Sequence, residues 1–209
     1  MKKFELTTNT KMFLGKKLFQ IKALINFGDV EAGELGGYIE KEENLDYDGD
    51  AWVYGNACVS GNACVSGNAC VSGNARVSGN ACVSGDACVY GDACVSGNAC
   101  VSGNACVSGN ARVYGDACVY GDARVYGDAW VYGDACYTTI KGFGREYRTT
   151  TFFKCKDGKV RVQCGCFYGD LEEFRAIVKK THGESKKAKE YLMIADLMEL
   201  HFEENENDK

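Results

Sequence analysis

The chain has two histidines in 209 residues, His182 and His201, and neither lies in its repetitive middle. A phosphate-binding glycine loop, a Cys-x-x-Cys metal spacing, a nucleophile-base pair and a paired-carboxylate constellation are all absent, which leaves the common sequence signals for phosphoryl transfer, zinc binding and hydrolysis unmet. No stretch approaches the roughly 20 apolar residues that a membrane-spanning helix needs. The apolar stretches of residues 1–27 are broken by Lys11, Lys16, Lys17 and Lys22, and no small-residue cleavage site follows. Neither a signal peptide nor a membrane span is expected.

What is abundant is repetition. The unit Gly-(Asn/Asp)-Ala-x-Val-(Ser/Tyr) runs fifteen times without a gap from Gly49 to Thr138, and its last copy carries Tyr137 and Thr138 in place of Val and Ser/Tyr. Six residues cannot enclose a core, so such units must stack into a solenoid in which each covers its neighbours. Ten of the thirteen cysteines occupy the same slot of this unit, which is duplication rather than the paired spacing of a disulfide framework. Free thiols in a reducing, cytoplasmic setting are the expectation.

Ala and Val stand two apart, so on an extended segment both point to one side and the x and Ser/Tyr slots to the other. The x slot accepts Cys, Arg and Trp (Arg76, Arg112, Arg124, Trp52, Trp130) and should face outward. Gly supplies a corner with positive φ, and the following Asn or Asp can bond local backbone there, as at Asp50, Asp86, Asp92, Asp116, Asp122, Asp128 and Asp134. An outward thiol ladder at strand spacing exceeds the usual disulfide Cβ separation, so bridges would need strain.

The repeat resembles the hexapeptide-repeat, left-handed β-helix family, and more closely a set of phage and prophage proteins with runs of this unit; Phe27–Ile39 also resembles the segment before their repeats. The resemblance implies a triangular coil of three units, hence about five coils, and a left hand. Copies eighteen residues apart then stack into three faces. The first reads Trp52, Cys70, Cys88, Cys106 and Arg124, and the second Cys58, Arg76, Cys94, Arg112 and Trp130. The third is all cysteine: Cys64, Cys82, Cys100, Cys118 and Cys136. Many proteins of this family are acyltransferases with a histidine base, and the related carbonic anhydrases use three metal-binding histidines; the coils here hold none.

The flanks are short. Residues 1–48 read as an N-terminal β cap, with a strand over Leu18–Leu24 and a Gly-rich turn at Gly33, Gly36 and Gly37. Residues 139–209 read as a ββαα unit: a hairpin around Asp157-Gly158, a helix opened by the capping box Asp170–Glu173 and ended by Gly183, and a second helix over Ser185–Phe202. Cys155, Cys164 and Cys166 lack the spacing of a zinc site, and no metal or other cofactor is expected.

The net charge is −5, but Lys141–Arg161 holds seven basic residues against Glu146 and Asp157. General nucleic-acid binding is therefore not expected, while a small anionic ligand is a second kind of partner. Aromatic and Arg side chains concentrate in the last coils, where Arg112, Tyr114, Tyr120, Arg124, Tyr126, Trp130 and Tyr132 form the candidate surface for a protein partner or for self-association. The expected function is a non-enzymatic β-solenoid binding protein. The phage resemblance implies an inhibitor or sequestering protein acting on a host component, and the alternatives are an acyltransferase and a purely structural self-assembly module.

Overall fold

The computed structural model describes residues 2–133, 136–143 and 148–203. Three strands, β1 (Phe4–Phe13), β2 (Lys16–Ala23) and β3 (Leu35–Ile39), lead into fourteen two-residue rungs, β4 to β17, that recur every six residues from Trp52–Val53 to Trp130–Val131. Rungs three units apart pair in parallel and in register, Cys88 beside Cys70 and Cys106 and Val89 beside Val71 and Val107, which produces the three faces. Every Ala and Val of these rung units is buried in one continuous core.

The corners explain the invariant Gly. Gly85 sits at φ +68°, and a Cβ there would stand 3.0 Å from the backbone N of Gly103 in the next coil, so both conformation and space demand glycine. The Asx slot does more than shape the turn. Asn62 donates its amide to Asn80, Asn80 to Asn98 and Asn98 to Asp116, at 3.2, 3.0 and 2.8 Å. Elsewhere Asn68, Asn74, Asn104 and Asn110 each donate to the Asp one coil below. An Asn both donates and accepts and so continues a ladder, whereas an Asp only accepts. Asp134 lies outside the described residues.

All three edges of the first coil are closed by the cap. β3 extends the second face, Tyr38 opposite Cys58 and Ile39 opposite Val59. A bridge from Leu45 to Val65 covers the third, and the Asn44 amide donates to the carbonyls of Gly61 and Ala63 at 3.1 and 2.7 Å. On the first, the Lys3 ammonium donates to the carbonyls of Gly49 and Ala51 at 3.2 and 3.0 Å, with burial lowering its pKa against the pull of Asp46, Asp50 and Asp48.

Three expectations are corrected here. Gly36 and Gly37 are not turn residues but the middle of β3: a Cβ on Gly36 would lie 2.6 Å from Ile21 Cγ1 and from the Val53 carbonyl, so close packing and not a bend requires them. Trp52 occupies an outward slot yet is fully buried, because Phe4 and Phe27 pack edge-on against it at 6.3 and 5.3 Å. The cysteine face is a ladder of four; Cys136 leaves the register and is buried, as is Cys58 at the other end, while the remaining repeat thiols are half-buried. At the Cys136 end Gly133 lacks the positive φ shared by Gly49 through Gly127, and Tyr137 starts a new strand.

The C-terminal unit contains the expected hairpin, β19 (Arg148–Lys154) with β20 (Val160–Cys164), flanked by two further strands, β18 (Tyr137–Phe143) and β21 (Phe167–Asp170), in an antiparallel order β18-β19-β20-β21. Helix α1 (Leu171–His182) follows with its capping box formed between Asp170 and Glu173, and α2 (Lys186–Phe202) is capped by Ser185. β19 joins two cores by strand alternation: Phe153 points into the solenoid end and Phe152 into the cluster beneath the helices. The unit thus covers the last coil, and Thr151 Oγ1 accepts the Arg124 backbone N–H at 3.1 Å.

Candidate functional site

The C-terminal sheet meets the last coil through an antiparallel bridge between Ala129 and Cys155. Beside that bridge, the β19–β20 turn overhangs the second face and leaves a cleft of about 800 Å³. Its floor is the outward ladder Arg76, Cys94, Arg112 and Trp130, and one wall is the corner ladder Asp92, Asn110 and Asp128. Lys156, Arg161 and Tyr168 also line it, Tyr168 with its hydroxyl over the Gly127 corner beside Asp128.

Trp130 is the centre of this arrangement. The Arg112 guanidinium lies 5.9 Å from its ring centroid and the Lys156 ammonium 5.7 Å, so the indole is held by two cations. Tyr114 meets it edge-on at 6.2 Å and itself leans on Tyr132 at 5.9 Å. Arg161 is anchored by Asp157 at 2.7 Å, and its other terminal nitrogen is buried without a hydrogen-bond partner. Asp157 is held below the ordinary carboxylate range by the Lys159 backbone N–H at 3.0 Å and then by Arg161. Burial pushes the Cys155 thiol up to about 11, so it is protonated at neutral pH and a poor nucleophile.

Of the seven candidate residues, Arg112 and Trp130 line this cleft and Tyr114 and Tyr132 flank it at the corner between second and third faces. The other three stand elsewhere. Arg124 is on the first face, in a second cleft of about 590 Å³ with Asp122, Lys141 and Gln163, where Lys141 pairs with Asp122 at 2.6 Å. Tyr126 packs at the corner between first and second faces, where Cys106 Sγ donates to its hydroxyl at 3.9 Å and burial raises its phenol pKa. Tyr120 is 64% exposed at the third corner and meets Tyr137 edge-on at 6.4 Å. A three-sided coil advances to a new face every six residues, so a run of the chain cannot present all seven on one surface.

Sequence reasoning singled out the hairpin as basic without assigning Lys156 and Arg161 a place, and missed Tyr168 altogether. The charge excess of Lys141–Arg161 was the available signal for the first two. Nothing in the local sequence marks Tyr168. His182 stacks on Tyr191 at 6.0 Å and His201 lies against Phe202 at 4.9 Å, both in the helices. Among the described residues, no three His, Cys, Asp or Glu side chains are grouped to hold a metal ion, and no helix is long and apolar enough to cross a membrane.

A family model described as the YdcK Beta solenoid repeat matches residues 69–85, 75–91, 105–121 and 117–133. The matched segments all fall within the coils and support a repeat β-solenoid family for this part of the chain. No curated protein matches the sequence.

Proposed function

We propose that this β-solenoid is a non-enzymatic binding protein whose last coils and C-terminal sheet together recognise a protein partner through the Trp130 cleft. The observation that carries this reading is the indole held between Arg112 and Lys156, in a cleft whose two sides come from different units of the fold. Tryptophan and arginine are the residues whose truncation most often costs an interface its affinity. The cations suit an acidic segment of that partner, or a small anionic ligand in its place. The phage resemblance of the repeat supports an inhibitor or sequestering role toward a host component, and the free thiols suit the cytoplasm. An acyltransferase of the resembled kind would use a histidine base, and neither His182 nor His201 lines the cleft, whose thiol is protonated.

A photo-reactive phenylalanine analogue at Tyr168 of the full chain tests it in host-cell lysate. It should give one dominant protein adduct that falls at least about tenfold when Trp130→Ser or Arg112→Ala is added, the loss expected of a hot-spot residue. The same probe at Ser66, in the early coils and outside the cleft lining, should give none. Equal adducts from both probes would point to a purely structural module, and acetyl-CoA turnover abolished by His182→Ala would replace binding with acyl transfer.

A further inference from the structure

The outward cysteines share one slot of the repeat but differ in what stands above and below them. On the second face Cys94 lies between Arg76 and Arg112, and Cys58 between Tyr38 and Arg76, so neither has a thiol beside it on its ladder. The first face has a short run, Cys70, Cys88 and Cys106, closed by Trp52 and Arg124. On the third face all four rungs carry a thiol: Cys64, Cys82, Cys100 and Cys118 stack in parallel and in register.

Side chains in register on neighbouring strands stand about 4.8 Å apart, which is too far for a disulfide and about twice the 2.3 Å of a metal–thiolate bond. They project roughly perpendicular to the sheet, so an ion placed on the ladder axis between two of them meets a lone pair of each sulfur. Four sulfurs in a straight row cannot converge on one ion, and among the described residues no three His, Cys, Asp or Glu side chains do. Tetrahedral zinc is therefore not served, whereas two facing thiolates suit a soft, two-coordinate ion. Burial first, then Cys82 and Cys118, push the Cys100 thiol up: thiolates this close repel one another, and a cation between them replaces repulsion by bonding. Hydrogen bonds from Ser102 to Cys100 and from Ser72 to Cys70 favour the thiolate form, as outer-shell partners of metal ligands do. Cys118 Sγ donates to the Asp116 carbonyl at 3.8 Å, a weak bond that is given up when the thiol loses its proton.

We infer that the third face binds Cu(I), each ion held in line between two successive thiolates, Cys64 with Cys82 and Cys100 with Cys118. Each ion displaces one proton from each of its two thiols and leaves a singly negative bis-thiolate complex, with no change of oxidation state. The first-face run holds one further pair in the same way. The Trp130 cleft lies on the second face, so this inference stands apart from the reading of that cleft.

The full chain, reduced and air-free, is titrated with Cu(I) against a chromophoric Cu(I) chelator, which reports the copper that the protein withholds. Cys100→Ser leaves the Cys64–Cys82 pair and should withhold one ion fewer than wild type. Cys82→Ser combined with Cys118→Ser strands Cys64 and Cys100 roughly 10 Å apart and should withhold two fewer. Cys94→Ser removes a thiol with no thiol neighbour and should withhold as much as wild type. Serine is as small as cysteine and the slot faces outward, so all three variants should keep the copper-free melting temperature. X-ray absorption at the copper edge should show two sulfur neighbours per ion, and zinc offered in place of copper should not be withheld. Equal copper in Cys94→Ser and Cys100→Ser, a wild type that yields all its copper to the chelator, or three sulfur neighbours per ion would overturn the inference.

Discussion

Trp52 and Trp130 occupy the same slot of the same repeat, in the first and last rungs, and the protein uses them in opposite ways. Trp52 is sealed under Phe4, Phe27 and the glycines of β3, and the coil edge beneath it is closed by the Lys3 ammonium. Trp130 stands at the edge of an open cleft between Arg112 and Lys156. An outward slot is a position on the coil, and its environment is set by whatever docks over it. The N-terminal flank lies flush because Gly36 and Gly37 let its backbone close on the first coil. The C-terminal sheet makes contact through Ala129 and Cys155 and holds its turn over the face with Lys156 near Trp130, leaving a cleft beneath.

The largest effect should come from the core that both ends share. Val95→Asp places an unpaired charge in a fully buried position and should cost more than about 4 kcal/mol, enough to prevent stable folding, while Ser96→Asp at the neighbouring outward slot should stay within about 1 kcal/mol. Equal losses in thermal melts would reverse inside and outside, and with them the comparison. Next, Trp52→Ser should lose about 3–5 kcal/mol and lower the melting temperature by roughly 6–20 °C, against less than about 1 kcal/mol for Trp130→Ser. Matching melting temperatures would mean that the two ends are capped alike.

The smallest effect sharpens the picture inside the cleft. With its pKa raised to about 11, Cys155 has about one thiolate in a thousand at pH 8, so alkylation there should be at least about 100-fold slower than at the exposed Cys166 and should accelerate as pH approaches 11. The sign for stability is the reverse: a raised folded pKa means the unfolded thiol ionises first, so rising pH between its ordinary value and about 11 withdraws stability. Comparable labelling of the two thiols at pH 8 would show the sheet lifting off the coil.

The coils were legible because their rule is local. A six-residue period, apolar residues two apart and Gly at each corner specify rungs, inward face and stacking register before any long-range contact is known. The hairpin at Asp157-Gly158 and both helices were equally legible, from a two-residue turn, the Asp170–Glu173 box and the Ser185 cap. β18 and β21 were not: Tyr137–Phe143 begins inside the last repeat unit, and Phe167–Asp170 is only four residues long after a turn at Gly165-Cys166 that reads in sequence as the end of the hairpin; their pairing partners make them strands.

The site divides the same way. Arg112 and Trp130 could be placed on one face by counting eighteen, and Tyr120, Arg124 and Tyr126 on others by the same count. That Lys156, Arg161 and Tyr168 come to the second face and not the first depends on how the C-terminal sheet docks, which no period encodes. The sequence by itself determined the solenoid, its buried valines and alanines and its three outward ladders, because each follows from neighbours at fixed short spacing. Only the tertiary structure decided which outward residues are buried like Trp52 and which are left facing a cleft like Trp130, because burial depends on surfaces brought together from distant parts of the chain.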